Sequence, residues 1–420
     1  MMKVFKFGGA SIKEAACIRN VVQIIRQYQR DNPLIVISAS GKMTNALERV
    51  LNAYMAQNGR AYELLEVVKA HHSRLVDELF ENKQHAIRAE LNDLFVDVEW
   101  ILEEKPEKHY DYTYDQIVSC GEMLSTKIVT AYLQQEGLAT TWLDVRDCIA
   151  TDNTYRDAKI DWKLTEENIQ KTVPPLRAKG LVVTQGFIGC TSENFTTTLG
   201  REGSDYTAAI FSSCLRAESL VIWKDVAGVL TGDPKIFEKV RKLDKISYQE
   251  AIEMTYYGAK VIHPKTLQPL QKYHIPLHVK SFLHPRDSGT VIDSDELEYY
   301  PPILVVKEEQ ALLKLTTKDF HFVDEDRLSA LFKEFAKYRV KVNMTQNTAL
   351  TFSVCVNDNP ERISKFIASV EKHYTIEKTE GLKMLTIRHG TQEIIDWYVK
   401  SYQFLLIEYV QNNTQLVVRL

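Results

Sequence analysis

Residues Lys3–Phe7 are an apolar-rich run that stops on Gly8-Gly9, and a helical pattern follows through Ile18, Val21, Val22 and Ile25. After Pro33 comes Leu34–Ile37, four apolar residues without alternation, as expected of a strand covered on both faces. Strand, glycine turn, helix and buried strand make a βαβ start. Glycines at such a turn let backbone N–H groups approach an anion, and the helix start adds positive potential. Lys6, at the strand end, would reach the same anion as a point charge. A tight connection without a ligand is the alternative. The turn matches neither a Walker A loop nor GxGxxG, which argues against those folds and against an NAD-binding oxidoreductase.

The strand–helix alternation is interrupted and then resumes. Residues 45–105 carry two helical patterns, Leu64, Val67, Val68, His71, Leu75 and Leu91, Leu94, Phe95, Val98, Leu102, and read as a helical insertion forming a wall or lid. Strand-like runs return at 181–184, 220–223 and 277–280, with helical patterns at 122–134 and 205–214 between them. Residues 293–302 are acidic, end in a Pro-Pro pair and mark a domain boundary. At 420 residues the chain is long enough for two or three domains. The expected division is a catalytic α/β domain over 1–294 and a tail over 303–420. In the tail, strands at 303–307, 311–316, 340–345 and 350–356 and helices at 325–338 and 360–372 give a βαββαβ-like order. A shorter echo follows, with strands at 383–388, 404–409 and 415–419 and a helix from Gln392. Two small ferredoxin-like modules fit this order, and so does one larger α+β domain.

A net charge of -4 gives no general attraction to nucleic acid or to an anionic membrane. No apolar stretch reaches bilayer length, and the N-terminus lacks a signal-peptide pattern. The six cysteines are scattered among apolar neighbours without a CxxC pair, which points to buried thiols in the cytoplasm rather than to zinc.

Two further glycine loops carry chemistry. In Gly200-Arg201-Glu202-Gly203-Ser204-Asp205-Tyr206-Thr207, Ser204 and Asp205 could simply cap a helix, but capping does not explain Arg201 between two glycines. An arginine there offers a planar fork matched to a carboxylate. In Trp223-Lys224-Asp225-Val226-Ala227-Gly228-Val229-Leu230-Thr231-Gly232-Asp233-Pro234-Lys235, a buried strand runs into a polar loop. That is either an irregular surface turn or a nucleotide pocket at the carboxyl ends of the strands.

Taken in order, Lys6-Phe7-Gly8-Gly9-Ala10-Ser11, Ser38-Ala39-Ser40-Gly41-Lys42-Met43-Thr44-Asn45, Ser119-Cys120-Gly121-Glu122, Gln185-Gly186-Phe187-Ile188-Gly189, the two loops above and Gly258-Ala259-Lys260-Val261-Ile262-His263-Pro264 resemble the aspartokinases of the amino-acid kinase superfamily. The Ser-x-Gly-Glu and Gly-Ala-Lys-Val-x-His-Pro motifs favour aspartokinase over acetylglutamate, glutamate 5- and uridylate kinases. The resemblance implies a three-layer αβα sandwich around a mainly parallel sheet, followed by tandem ACT modules.

It also implies roles. ATP would phosphorylate the β-carboxylate of L-aspartate to 4-phospho-L-aspartate, the first step toward lysine, threonine and methionine, by positioning and charge neutralisation. Lys6 would stabilise charge on the transferring group, and Asp205 would orient Lys6 and the phosphates. Gly8, Gly9 and Ser11 would contact phosphates. Glu122 would take the α-amino group and Arg201 the α-carboxylate, with Ser38, Thr44, Phe187, Gly203 and Ser204 completing that pocket. Lys224, Asp225, Leu230, Lys235, Lys260 and Val261 would meet the nucleotide. Alone, Glu122 could be a first-turn helix acid and Lys260 a solvated helix-terminal cation. Mg2+ is implied by ATP chemistry, held mostly by phosphates and water.

The nucleotide loop departs from the family pattern, with Lys224 for threonine or serine, Ala227 for aspartate or proline, Leu230 for tyrosine and Lys235 for arginine. The tail implies a homodimer and lysine or threonine as effectors, yet residues 322–328 lack the helix-start glycine of an effector site. Competing readings are another acyl-phosphate amino-acid kinase and a catalytically inactive amino-acid sensor. No second catalytic domain, such as a homoserine dehydrogenase, is expected before Leu420.

Overall fold

A computed structural model describes residues 2–106, 109–259, 262–319, 321–411 and 413–419. The chain divides into two compact units, one of residues 1–229, 242–252 and 261–296, the other of 230–241, 253–260 and 297–420.

In the first unit the strands are β1 (Lys3–Phe7), β2 (Leu34–Ile37), β3 (Thr140–Leu143), β4 (Leu181–Gln185), the short pair β5 (Ile188–Cys190) and β6 (Thr196–Thr198), β7 (Ser219–Lys224), β8 (Lys245–Ser247), β9 (Leu277–Ser281) and β10 (Thr290–Asp293). Among the described residues the main sheet runs β3-β4-β2-β1-β7-β9-β10-β8, parallel throughout except for β9 against β10. The centre of the sheet is dry. Every residue of β2 and β4 is buried, because the helices α1 (Ala15–Gln27), α6 (Cys120–Gln135), α7 (Trp162–Arg177) and α8 (Gly203–Cys214) cover it. The helical insertion is α2 (Met43–Met55), α3 (Ala61–Leu79) and α4 (Ile87–Glu103), leading into α5 (Tyr110–Val118). Its apolar stripes, Leu65, Val68 and Leu75 with Leu91, Phe95 and Val98, lie in one core with β1 and β2.

The expected strands at both sides of the first glycine turn, and those near 181, 220 and 277, form at those positions. β3 escaped the reading because Thr140 and Thr141 give it no apolar run. Helix α7 also escaped it, since Pro174 and Pro175 sit in its last turn, where a missing N–H costs backbone bonds.

The second unit holds one sheet, β12-β13-β11-β14-β16-β15, among its described residues. Its strands are β11 (Ile303–Thr317), β12 (Val342–Asn347), β13 (Thr351–Asn357), β14 (Tyr374–Arg388), β15 (Phe404–Val410) and β16 (Asn413–Val418). The expected strands at 303–307 and 311–316 are one 15-residue strand, with register shifts between Lys307 and Leu312. Helices Glu325–Lys337 and Pro360–Val370 cover one end of the sheet through Leu331, Phe335, Ile363 and Phe366. Helix Gln392–Ser401 covers the other through Tyr398. Two ACT-like α+β modules thus share one continuous sheet, and the second is a helix shorter. Segments 230–241 and 253–260, which the sequence placed with the catalytic part, group here because the Leu304 N–H donates to the Thr231 carbonyl at 2.7 Å and Arg388 pairs with Glu253 at 3.0 Å.

Candidate active site

A cleft of about 550 Å³ opens at the carboxyl ends of β1, β2, β4 and β7 in the first unit. Open α/β sheets bind ligands there because the strand ends and helix starts converge on it. Its walls are turns that glycine makes possible. A Cβ on Gly9 would stand 2.7 Å from the Ala39 carbonyl oxygen and 2.8 Å from that of Gly41, so the turn after β1 can lie against the turn after β2 only as glycine. The Gly41 N–H donates to the Gly9 carbonyl at 3.0 Å and fastens the two turns. Ser40 in the second turn donates to the Ile12 carbonyl at 2.9 Å and lies 2.9 Å from His71 Nε2 of α3, so the insertion also braces the cleft.

The start of α8 is fixed from the other side. Phe187 adopts a left-handed φ of 70°, and its N–H donates to Thr207 Oγ1 at 2.9 Å. A Cβ on Gly203 would come within 2.6 Å of the Phe187 ring, and one on Gly186 within 2.4 Å of Ser204 Cβ. The first turn of α8 can therefore reach β4 closely, which places Asp205 inside the cleft.

Charge is concentrated on Asp205. Lys6 Nζ meets its Oδ1 at 2.6 Å, with only 10% and 4% of the two side chains exposed, and Lys224 Nζ stands 3.6 Å from Oδ2. Burial alone would lift the Asp205 carboxyl, but Lys6 and then Lys224 outweigh it and hold the group below the usual carboxylate range. Asp205 is thus ionised, and two ammonium groups converge beside the glycine turn. Ser11 Oγ, buried and without a hydrogen-bond partner among the described residues, lines the same place.

Glu122 enters from the first turn of α6. Its Oε1 accepts from the Ala39 N–H at 3.2 Å, while its buried Oε2 has no hydrogen-bond partner among the described residues. Burial pushes the carboxyl up to about 8, against the pull of that N–H and of Lys6. An unmatched acceptor in a cleft wall suits a cationic donor such as an ammonium group.

The cleft brings together Lys6, Gly8, Gly9 and Ser11 from the first turn, and Ser38 and Thr44 from the second. It adds Glu122 and Phe187, then Arg201, Gly203, Ser204 and Asp205 around α8, and Lys224 and Asp225 from the end of β7. Leu230 and Lys235 belong to the second compact unit and are not among the lining residues. Lys260 and Val261 lie outside the described residues. Tyr114, Arg156, Glu202 and Trp223 also line the cleft, and the sequence reading gave them no role. For Glu202 the signal was its place between the two glycines of the loop. It has a φ of 54°, and its Oε2 accepts from the His263 N–H at 3.0 Å. Trp223 stacks on Phe7 at 5.9 Å and closes the floor.

A larger hollow of about 640 Å³ lies along α4 and α5. Its arginine, Arg146, is already held by Asp144 at 2.6 Å. Among the described residues no group of three or more His, Cys, Asp or Glu could hold a metal ion, and no helix is long and apolar enough to cross a membrane.

Comparison with known proteins gives these observations a family. Residues 1–281 match the amino acid kinase family. The lysine-sensitive aspartokinase 3 of Escherichia coli (strain K12) is 30% identical over 357 residues, 84% of this chain and 78% of that protein. A bifunctional aspartokinase/homoserine dehydrogenase of Buchnera aphidicola is 29% identical over 394 residues, 91% of this chain but only 47% of its own length. The crystal structure of E. coli aspartokinase III in complex with aspartate and ADP superposes with a TM-score of 0.85 at 26% identity, covering 100% of this chain and 96% of that one. The same enzyme with lysine and aspartate gives 0.84 at 27%, with the same coverage.

Proposed function

Since the chain belongs to the amino acid kinase family and, within it, to the aspartokinases, we propose that it transfers the terminal phosphoryl group of ATP to the side-chain carboxylate of L-aspartate, releasing ADP and 4-phospho-L-aspartate. Both reactants are anions, so the protein's work is to hold them together and to neutralise charge. Lys6 and Lys224 face the phosphates, and the glycine turn with the Ser11 hydroxyl supplies further donors. Asp205 holds both ammonium groups in place and is no base, because the β-carboxylate is already ionised at neutral pH. Glu122 Oε2 accepts the substrate ammonium, and the Arg201 fork takes the α-carboxylate, which leaves the β-carboxylate for attack. Ser38, Thr44, Phe187, Gly203 and Ser204 shape that end. Mg2+ would arrive with ATP, held mostly by phosphate oxygens and water.

The observation that carries this reading is the pairing, within one cleft, of a two-lysine carboxylate cluster with a buried carboxylate oxygen that has no partner among the described residues. The first suits phosphate and the second an amino acid's ammonium. The product is an activated carboxyl, and its proposed use is in lysine, threonine and methionine synthesis in the cytoplasm. The paired modules of the tail are the proposed dimer contact and the proposed receiver of lysine, the amino acid to which the E. coli relative is, by its name, sensitive.

The test is aspartate-dependent ADP release, with the acyl phosphate trapped as its hydroxamate, run with and without lysine or threonine. Turnover with aspartate supports the assignment, and its absence overturns it. A dimer in light scattering and a lysine-dependent loss of rate would support the two roles given to the tail.

A further inference from the structure

Arg156 has no part in the motifs above, and its backbone is in the wrong place for an arginine. Its φ is 67°, a left-handed conformation that glycine adopts freely and a residue with a side chain adopts only at a cost. The strain is held by its own N–H, which donates to both oxygens of buried Asp115 at 3.2 and 3.1 Å. Asp115 also accepts from the Thr198 N–H at 2.9 Å and its hydroxyl at 2.6 Å, so loop and strand β6 share one anchor. A residue kept against its conformational preference invites a search for what its side chain does.

That side chain lines the cleft together with Tyr114 and Arg201. The next residue, Asp157, approaches the loop of Arg201 so closely that a Cβ on Gly200 would stand 2.6 Å from its Oδ1 and 3.3 Å from the Arg156 carbonyl oxygen. The guanidinium lies over Tyr114 at 4.4 Å and Tyr110 at 5.4 Å, both faces that orient a planar cation. Its acidic neighbours are Asp111 at 3.3 Å and Glu48 at 3.6 Å. All three side chains are more than a third exposed, so water screens both pairs and an incoming carboxylate can compete for the fork.

We infer that Arg156 is a second carboxylate-binding arginine of the acceptor pocket, so that a dicarboxylic amino acid meets one guanidinium from each of two loops. The inference rests on the acceptor reading above and adds to it a residue that specifies substrate charge. It accounts for the strain, since glycine would serve the turn but not the substrate.

Arg156→Gly separates the two roles, because glycine relieves the backbone while removing the fork. We expect its aspartate KM to rise at least tenfold, its ATP KM to stay within twofold, and its Tm to hold or rise. Arg156→Met keeps the strain and most of the length without charge, and its aspartate KM should rise alike. An aspartate KM within twofold of the parent in either variant overturns the inference. If the parent protein shows no aspartate-dependent ADP release, the acceptor reading fails first. If the parent turns over and the variants bind aspartate normally, only the role of Arg156 fails.

Discussion

Lys224 Nζ stands 3.6 Å from Oδ2 of Asp205, across the carboxylate from the oxygen that Lys6 meets at 2.6 Å. A hydroxyl at this position could not add that charge. Lys224→Thr should therefore raise the ATP KM by roughly tenfold, about 1.4 kcal/mol, and leave the aspartate KM nearly unchanged. Initial rates with each substrate varied in turn will show the split, and equal changes in both constants would refute it.

Lys6 lies closer to the carboxylate and to the glycine turn, so its loss should act on the chemical step. Lys6→Ala should lower kcat by roughly a hundredfold or more, as expected when a preorganised charge contact is removed. Single-turnover formation of the hydroxamate distinguishes this from slow product release.

Removing the carboxylate should instead harm the fold as well as the rate. Asp205→Ala leaves Lys6, 10% exposed, without its counter-charge, at a cost of about 3 kcal/mol. Because Asp205 is held below the usual carboxylate range, its stabilising contribution is complete above the unfolded value near ~4 and fades as pH falls through the lower folded value. Tm against pH should thus show a steeper acid limb in the parent than in the variant.

For Glu122 the direction reverses. With the carboxyl raised to about 8, its contribution to stability is full below the unfolded value near ~4 and is lost as pH rises toward 8. An ammonium ligand demands the ionised form. Aspartate affinity should then improve as pH rises from about 6.5 to 8, and Glu122→Gln should flatten that dependence and weaken binding by roughly a hundredfold. Calorimetric titration at several pH values measures both.

Asp115 predicts a structural loss with a functional echo. Its four hydrogen bonds hold Arg156 and Thr198, so Asp115→Ala strands three buried or half-buried donor groups and should cost about 3 kcal/mol. The Tm should fall and the aspartate KM rise, whereas Arg156→Gly raises the KM without lowering the Tm.

The sequence told the fold where chemistry is local. Leu34–Ile37 is legible because a strand buried on both faces must be apolar throughout, and the glycine turn because at Gly9 only glycine lets two turns touch. Thr140–Leu143 was not legible, since an edge strand can be polar and still pair. The candidate site followed the same division. Lys6, Glu122, Arg201 and Asp205 sit in contiguous motifs, and the structure gathers them into one cleft. Arg156 lies among ordinary turn residues, and its left-handed φ is a tertiary fact with no local pattern. Leu230 and Lys235 lie in the second unit, so the cleft of the first leaves their expected nucleotide contacts untested.

β11 and β14 pair along almost their whole length, from Ile303 opposite Arg388 to Thr317 opposite Tyr374. The two strands therefore span both cores of the tail without an intervening loop, and the register shifts between Lys307 and Leu312 are where that shared ladder is interrupted. A substitution there would act on the seam that the two modules have in common, away from either helix-covered core.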